Sequence, residues 1–199
     1  MRILFLLVIL SVASALQSQV VVKENMIQSK SAFPLVTSNT KAAVVYDADD
    51  YLVVQKTGEL FVADVESVTG KQLRLTDTVK GDKEIIVVGT IEKNRLIRQL
   101  AEKGKLDISP LEGAWERYLI QTVSRPFPGV SKALVIAGSD RRGAAYGLFS
   151  LSEMMGVSPW YWWADVPAKK HKTLYVDAPA TLSKTPSVKY RGIFLNDED

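Results

Sequence analysis

Apolar residues along this chain follow two rhythms. Short runs rich in β-branched residues, at 42–46, 84–89, 118–123, 133–137 and 174–176, predict buried strands. Between them, apolar positions fall at helical spacing. From Tyr51 they are Val54, Leu60, Phe61, Val65 and Val68, which predicts a helix stopped by Gly70, although Gly58 interrupts it and 51–54 could instead be a strand. Asp47 to Asp50 offer that helix its N-terminal caps. Ile91, Leu96, Ile97, Leu100 and Ala101 mark a second helix closed by Gly104, and residues 141–155 a third, ended by Gly156 and Pro159. Residues 20–38 read as a mixed segment broken at Phe33-Pro34.

Strands and helices thus alternate, with consecutive strands between 116 and 137. The fold class expected is α/β with an α+β-like element: a small sandwich of a mixed sheet with helices packed on it. Residues 184–186 look like a linker, and 188–195 begin a further strand. The N-terminus has its own pattern. One basic residue, Arg2, precedes an unbroken apolar run at 3–10 and the small-x-small triplet Ala13-Ser14-Ala15. That is the layout of a secretory signal peptide over 1–15, and its apolar run is shorter than the about 20 residues of a membrane span. A secreted or periplasmic protein, free of the membrane after cleavage, is expected.

Composition narrows the chemistry. With 199 residues, 47% of them hydrophobic, there is material for one domain with a core, placed at 20–185. The net charge of +3 is scattered in short pairs, so no nucleic-acid surface is indicated. There is no cysteine, and His171 is the one histidine, set among Lys169, Lys170 and Lys172 in what reads as a solvated loop. Neither a thiolate nor a multi-histidine metal site can be assembled from these residues, and no cofactor is indicated.

Three segments carry candidate chemistry. At 138–143, Gly-Ser-Asp-Arg-Arg-Gly joins a strand to a helix, where free N–H groups can hold an anion, but the spacing is not that of a dinucleotide fingerprint. Gly143 and Gly147, four apart, let that helix press on the sheet. Arg141 and Arg142 oppose the helix dipole in the first turn, which calls for a compensating carboxylate, either Asp140 or one across a domain interface. Alternatively, one of them grips the carboxylate of an anionic sugar. The second segment, Pro159-Trp160-Tyr161-Trp162-Trp163, cannot send all its rings into one core; interface packing or stacking on sugar must take some of them. The third, Ile193-Phe194-Leu195-Asn196-Asp197-Glu198-Asp199, resembles the carboxyl end of a barrel strand, where active-site groups collect.

The runs at 136–143, Tyr146-Gly147, 156–167 and 188–198 resemble glycoside hydrolase family 115, the xylan α-glucuronidases. The resemblance implies an N-terminal α/β domain packed on a TIM barrel whose first strand starts in 186–199, with nearly the whole barrel missing here. It implies inverting removal of (4-O-methyl)glucuronic acid from glucuronoxylan or a related acidic oligosaccharide. Asp197 and Glu198 are the catalytic candidates, with Asn196, Arg141 and Trp162 on the substrate. The partner implied is the chain's own missing catalytic barrel, and dimerisation is usual in the complete enzyme. A free-standing carbohydrate-binding module that uses Trp160, Trp162 or Trp163 is the alternative.

Overall fold

The computed structural model of the chain describes residues 19–192. The leader expected at 1–15 and the segment from Ile193 to Asp199 lie outside the described residues. The elements in order are β1 (Val21–Lys23), β2 (Ala32–Val36), β3 (Ala43–Val45), α1 (Leu52–Thr69), β4 (Arg74–Thr76), β5 (Glu84–Thr90) and α2 (Arg95–Glu102). After a 3-10 turn at Ser109–Leu111 come β6 (Tyr118–Ser124), β7 (Lys132–Gly138), α3 (Arg141–Met154), α4 (Tyr161–Ala164), β8 (Leu174–Asp177) and β9 (Thr181–Leu182).

Six strands form the central sheet in the order β4-β3-β5-β7-β6-β9. The first four run parallel, with Ile86 opposite Val44 and Leu134, while β6 and β9 add on antiparallel. Both faces are covered, which is why β5 from Ile85 to Val88 and β7 from Ala133 to Ala137 are continuously apolar instead of alternating. On one face Val44, Ile86, Val88, Leu134 and Ile136 meet Phe61 and Val65 of α1 and Leu148 and Leu151 of α3. On the other, Val45, Ile85, Val87, Val135 and Ala137 meet Ile97 and Leu100 of α2, with Leu111 and Phe127 from the loops. A fully buried side chain of this size contributes about 1.5–3 kcal/mol, so the two clusters hold most of what stabilises the domain.

A second sheet of three antiparallel strands, β1-β8-β2, sends Phe33, Leu35, Leu174 and Val176 into the first core. It corrects the expectation of an irregular segment at 20–38. Phe33-Pro34 does not break the strand, because β2 is an edge strand and a proline there need not donate to a neighbour.

Other details of the sequence reading are refined. Helix α1 starts at Leu52, so 51–54 is no strand, and Gly70 ends it with φ of 68°. Gly58 is tolerated because a Cβ there would stand 3.0 Å from Leu75 Cδ1, against β4. Leu60, read as part of the buried stripe, faces outward. Asp47 and Asp50 do not cap α1, whose N-cap Tyr51 has no side-chain cap. They reach instead to Arg95 and Thr90. Residues 188–192 form no strand, so the described residues give no start of a barrel.

Candidate functional site

Helices α1 and α3 lie side by side on one face of the sheet, and their outer surfaces, together with residues 157–168, enclose a groove of about 1050 Å³. Its walls carry Leu60 and Ala63 from α1, Tyr146, Phe149 and Glu153 from α3, and Tyr161, Val166 and Pro167 from the tryptophan-rich stretch. Lys184 and Pro186, from the segment that follows β9, complete it. Leu60, Tyr146, Phe149 and Tyr161 are all exposed, so the groove is an apolar surface open to solvent. Among its polar groups, Tyr118 and Ser150 share a hydrogen bond of 2.6 Å. Burial pushes the Asp64 carboxyl above its usual range. The Ser152 hydroxyl across from it is close enough to offset part of that shift, yet it has no partner of hydrogen-bond geometry among the described residues.

A charged cluster closes one end of the groove. Glu116, just before β6, has a left-handed backbone with φ of 55° and a side chain only 5% exposed. Its Oε1 accepts from Arg142 Nη1 at 2.8 Å, and its Oε2 from Arg191. The hydrogen bond from Arg142 holds the Glu116 carboxyl below the ordinary range; burial opposes it, and Arg191 adds to it. The N–H of Glu116 donates to Asp140 Oδ2, and Asp140 Oδ1 accepts from the N–H groups of Arg142 and Gly143. Asp140 is therefore the N-cap of α3.

This geometry sorts the sequence expectations. At the 138–143 junction the sequence leaves N–H groups that can hold an anion. Two of those N–H groups are instead taken by the chain's own Asp140, which fills the role a bound anion would have had. The carboxylate that compensates Arg142 is Glu116, from the same domain, not Asp140 and not a partner across an interface. Arg141 points elsewhere, its guanidinium 5.7 Å over the Tyr51 ring on the side where the parallel strands end. Tyr51 is itself bonded to Glu92 and covered by Lys93 at 4.1 Å.

Gly143 and Gly147 do what their spacing suggested. A Cβ at 143 would stand 2.1 Å from the Arg117 carbonyl oxygen, and one at 147 would stand 2.4 Å from Ile136 Cγ2. Trp160 and Tyr161 are exposed by 64% and 53%, outside any core. Trp162 has its backbone in α4, and its side chain, like that of Trp163, lies outside the described residues. So do Asn196, Asp197 and Glu198. His171 is not a solvated histidine: its side chain is 18% exposed and Nδ1 lies 3.2 Å from Glu24 Oε2. Sequence reasoning missed Glu116. Two arginines at a helix start signal that a carboxylate is needed, but not that it lies 26 residues upstream.

No family model and no curated relative matches the chain. Among solved structures, it is similar to a family GH115 4-O-methyl-α-glucuronidase with specificity for decorated arabinogalactans. The match has 31% identity and a TM-score of 0.66, and covers 84% of this chain and 20% of that one. CpGH84D (13% identity, TM-score 0.44, 79% of this chain and 22% of that one) and the Streptomyces plicatus N-acetyl-β-hexosaminidase (14%, 0.44, 80% and 24%) also match. The chain thus spans between a fifth and a quarter of the length of each. Over the part that it spans, this chain resembles a glycoside hydrolase of family 115.

Proposed function

We propose that this chain is the N-terminal part of an exported glycoside hydrolase that removes (4-O-methyl)glucuronic acid from an acidic glycan by inverting hydrolysis, and that it is inactive alone. Glucuronoxylan is the substrate class that the sequence motifs imply, and decorated arabinogalactan the one named for the similar structure. The observation that carries the reading is the open groove between α1, α3 and residues 157–168. The exposed side chains of Leu60, Tyr146, Phe149 and Tyr161 gathered there support an interaction surface, and Lys184 and Pro186, on the way to the Asn196, Asp197 and Glu198 motif, lie in its wall. The remainder of a longer enzyme, its catalytic barrel, is the occupant that fits.

In this reading Asn196, Asp197 and Glu198 end the first barrel strand. On a strand, Asp197 and Glu198 point to opposite faces, so only one of them can address a given glycosidic bond. Inverting hydrolysis uses two carboxyl groups about 6.5–9.5 Å apart, one protonating the leaving oxygen and one activating water. The second group then comes from the remainder of the enzyme. Arg141, over Tyr51 and away from the groove, stays a candidate contact for the acidic sugar in this reading. Incubated with glucuronoxylan, the purified 199-residue chain is expected to release no uronic acid; release would overturn the proposal.

The exposure of Trp160 and Tyr161 favours a second reading, a carbohydrate-binding module in which these rings stack on sugar. Retardation of the chain in a gel containing glucuronoxylan, lost in Trp160→Ala, would support it.

A further inference from the structure

We infer that Glu116 is a positioning residue: it clasps Arg191 and so fixes the course of residues 184–192, the described stretch that precedes the Asn196, Asp197 and Glu198 motif in the sequence. The inference rests on the proposed function for the meaning of that motif, but the clasp itself is a matter of geometry. Four features converge on Arg191. Its Nη2 donates to Glu116 Oε2, and its Nη1 donates to the Val188 carbonyl at 2.6 Å. The guanidinium lies 5.9 Å from the Trp115 ring and 6.0 Å from the Tyr146 ring, distances at which aromatic faces attract cations.

The receiving side is rigid. The Glu116 side chain is almost fully buried, and an unpaired charge there would be costly. Its backbone occupies the left-handed region that non-glycine residues avoid, a strain of order 1 kcal/mol or more. The N–H bond to Asp140 holds it there, and Arg142 fixes the other carboxylate oxygen. Strain kept at a residue whose carboxylate spans two arginines is strain used for aiming. One arginine belongs to α3; the other lies 75 residues along the chain, just five before Asn196. Residues 184–192 have no helix or strand of their own to orient them, so this contact supplies their anchor.

Backbone amide relaxation by NMR on the 199-residue chain tests the clasp without substrate, so its outcome is separate from that of the glycosidase reading. In the wild type, residues 188–192 should show order parameters near the rigid value of about 0.85, and in Arg191→Gln these should fall below about 0.6, while β5 and β7 are unchanged. Arg191→Lys, which keeps the charge, should restore most of the order. Adding Glu116→Gln to Arg191→Gln should loosen the segment no further. Unchanged order parameters in Arg191→Gln, or an equal loss in Arg191→Lys, would overturn the inference.

Discussion

Asp47 and Arg95 tie the end of β3 to the first turn of α2. The Arg95 N–H and Nε donate to Asp47 Oδ2 at 2.8 and 2.9 Å, and Nη2 donates to Oδ1 at 2.9 Å. Burial raises the carboxyl's value, but the bonds from Arg95 outweigh it and the net shift is downward. A lowered folded value means that the stability from this group is complete above the unfolded range near about 4 and is lost as pH falls through the folded value. Asp47→Asn is therefore expected to cost about 1–2 kcal/mol at pH 7, the low side for a charged hydrogen bond because Arg95 is solvent-exposed. Denaturant titrations at pH 7 and pH 3 check this; the difference between wild type and variant should shrink at the lower pH.

Asp64 has the opposite sign. Burial in the groove raises its folded value, so the ionised group weakens the fold above that value, and the penalty fades as pH falls below the unfolded range. Asp64→Asn should raise the thermal midpoint at pH 7 and leave it nearly unchanged at pH 3. Scanning calorimetry at the two pH values distinguishes this from a pH-independent packing effect.

In an ordinary helix interior, replacing glycine by alanine stabilises by about 1 kcal/mol. Gly143→Ala should do the reverse. The added methyl would meet the Arg117 carbonyl oxygen at 2.1 Å, a backbone atom that cannot swing away. Overpacking of this kind costs about 1–3 kcal/mol, and the midpoint of thermal unfolding should fall by several degrees. Gly147→Ala should also destabilise, because its methyl would stand 2.4 Å from Ile136 Cγ2, on a fully buried β-branched side chain with little χ1 freedom.

Leu60 and Phe149 face the groove and are 54% and 43% exposed. The double variant Leu60→Ser, Phe149→Ser should change unfolding free energy by no more than about 1 kcal/mol, since each site alone is a surface site worth about 0.5. It should also reduce binding of an apolar fluorescent dye and any self-association of the isolated chain. A large loss of stability would show that these residues serve the fold and not an interface.

Much of this molecule was legible from local pattern. The strands β3, β5 and β7 announce themselves because buried parallel strands are apolar through their interiors, β6 and β8 because they are short runs rich in β-branched residues, and α1 to α3 because their stripes and glycine stops are local. The pairing of β8 with β1 and β2 was not legible: the strands are short and distant in sequence, and β2 carries Pro34 without being broken by it, so register comes from packing on the core. In the candidate site, the roles of Gly143 and Gly147 followed from their spacing. The Glu116–Arg142 and Asp47–Arg95 pairs did not, because a carboxylate can meet a guanidinium across any sequence distance. Arg141 and Arg142 look equivalent in sequence, yet adjacent helix positions point about 100° apart, which sends one toward Tyr51 and the other to Glu116.

The central claim is that this domain completes a glycosidase only when a catalytic barrel follows it. The most direct test measures uronic acid released from glucuronoxylan and from decorated arabinogalactan by two proteins. One is the 199-residue chain; the other carries the same residues followed by the reading frame downstream of codon 199. The account predicts turnover by the longer protein alone. Turnover by the 199-residue chain, or none by the longer one, would contradict it.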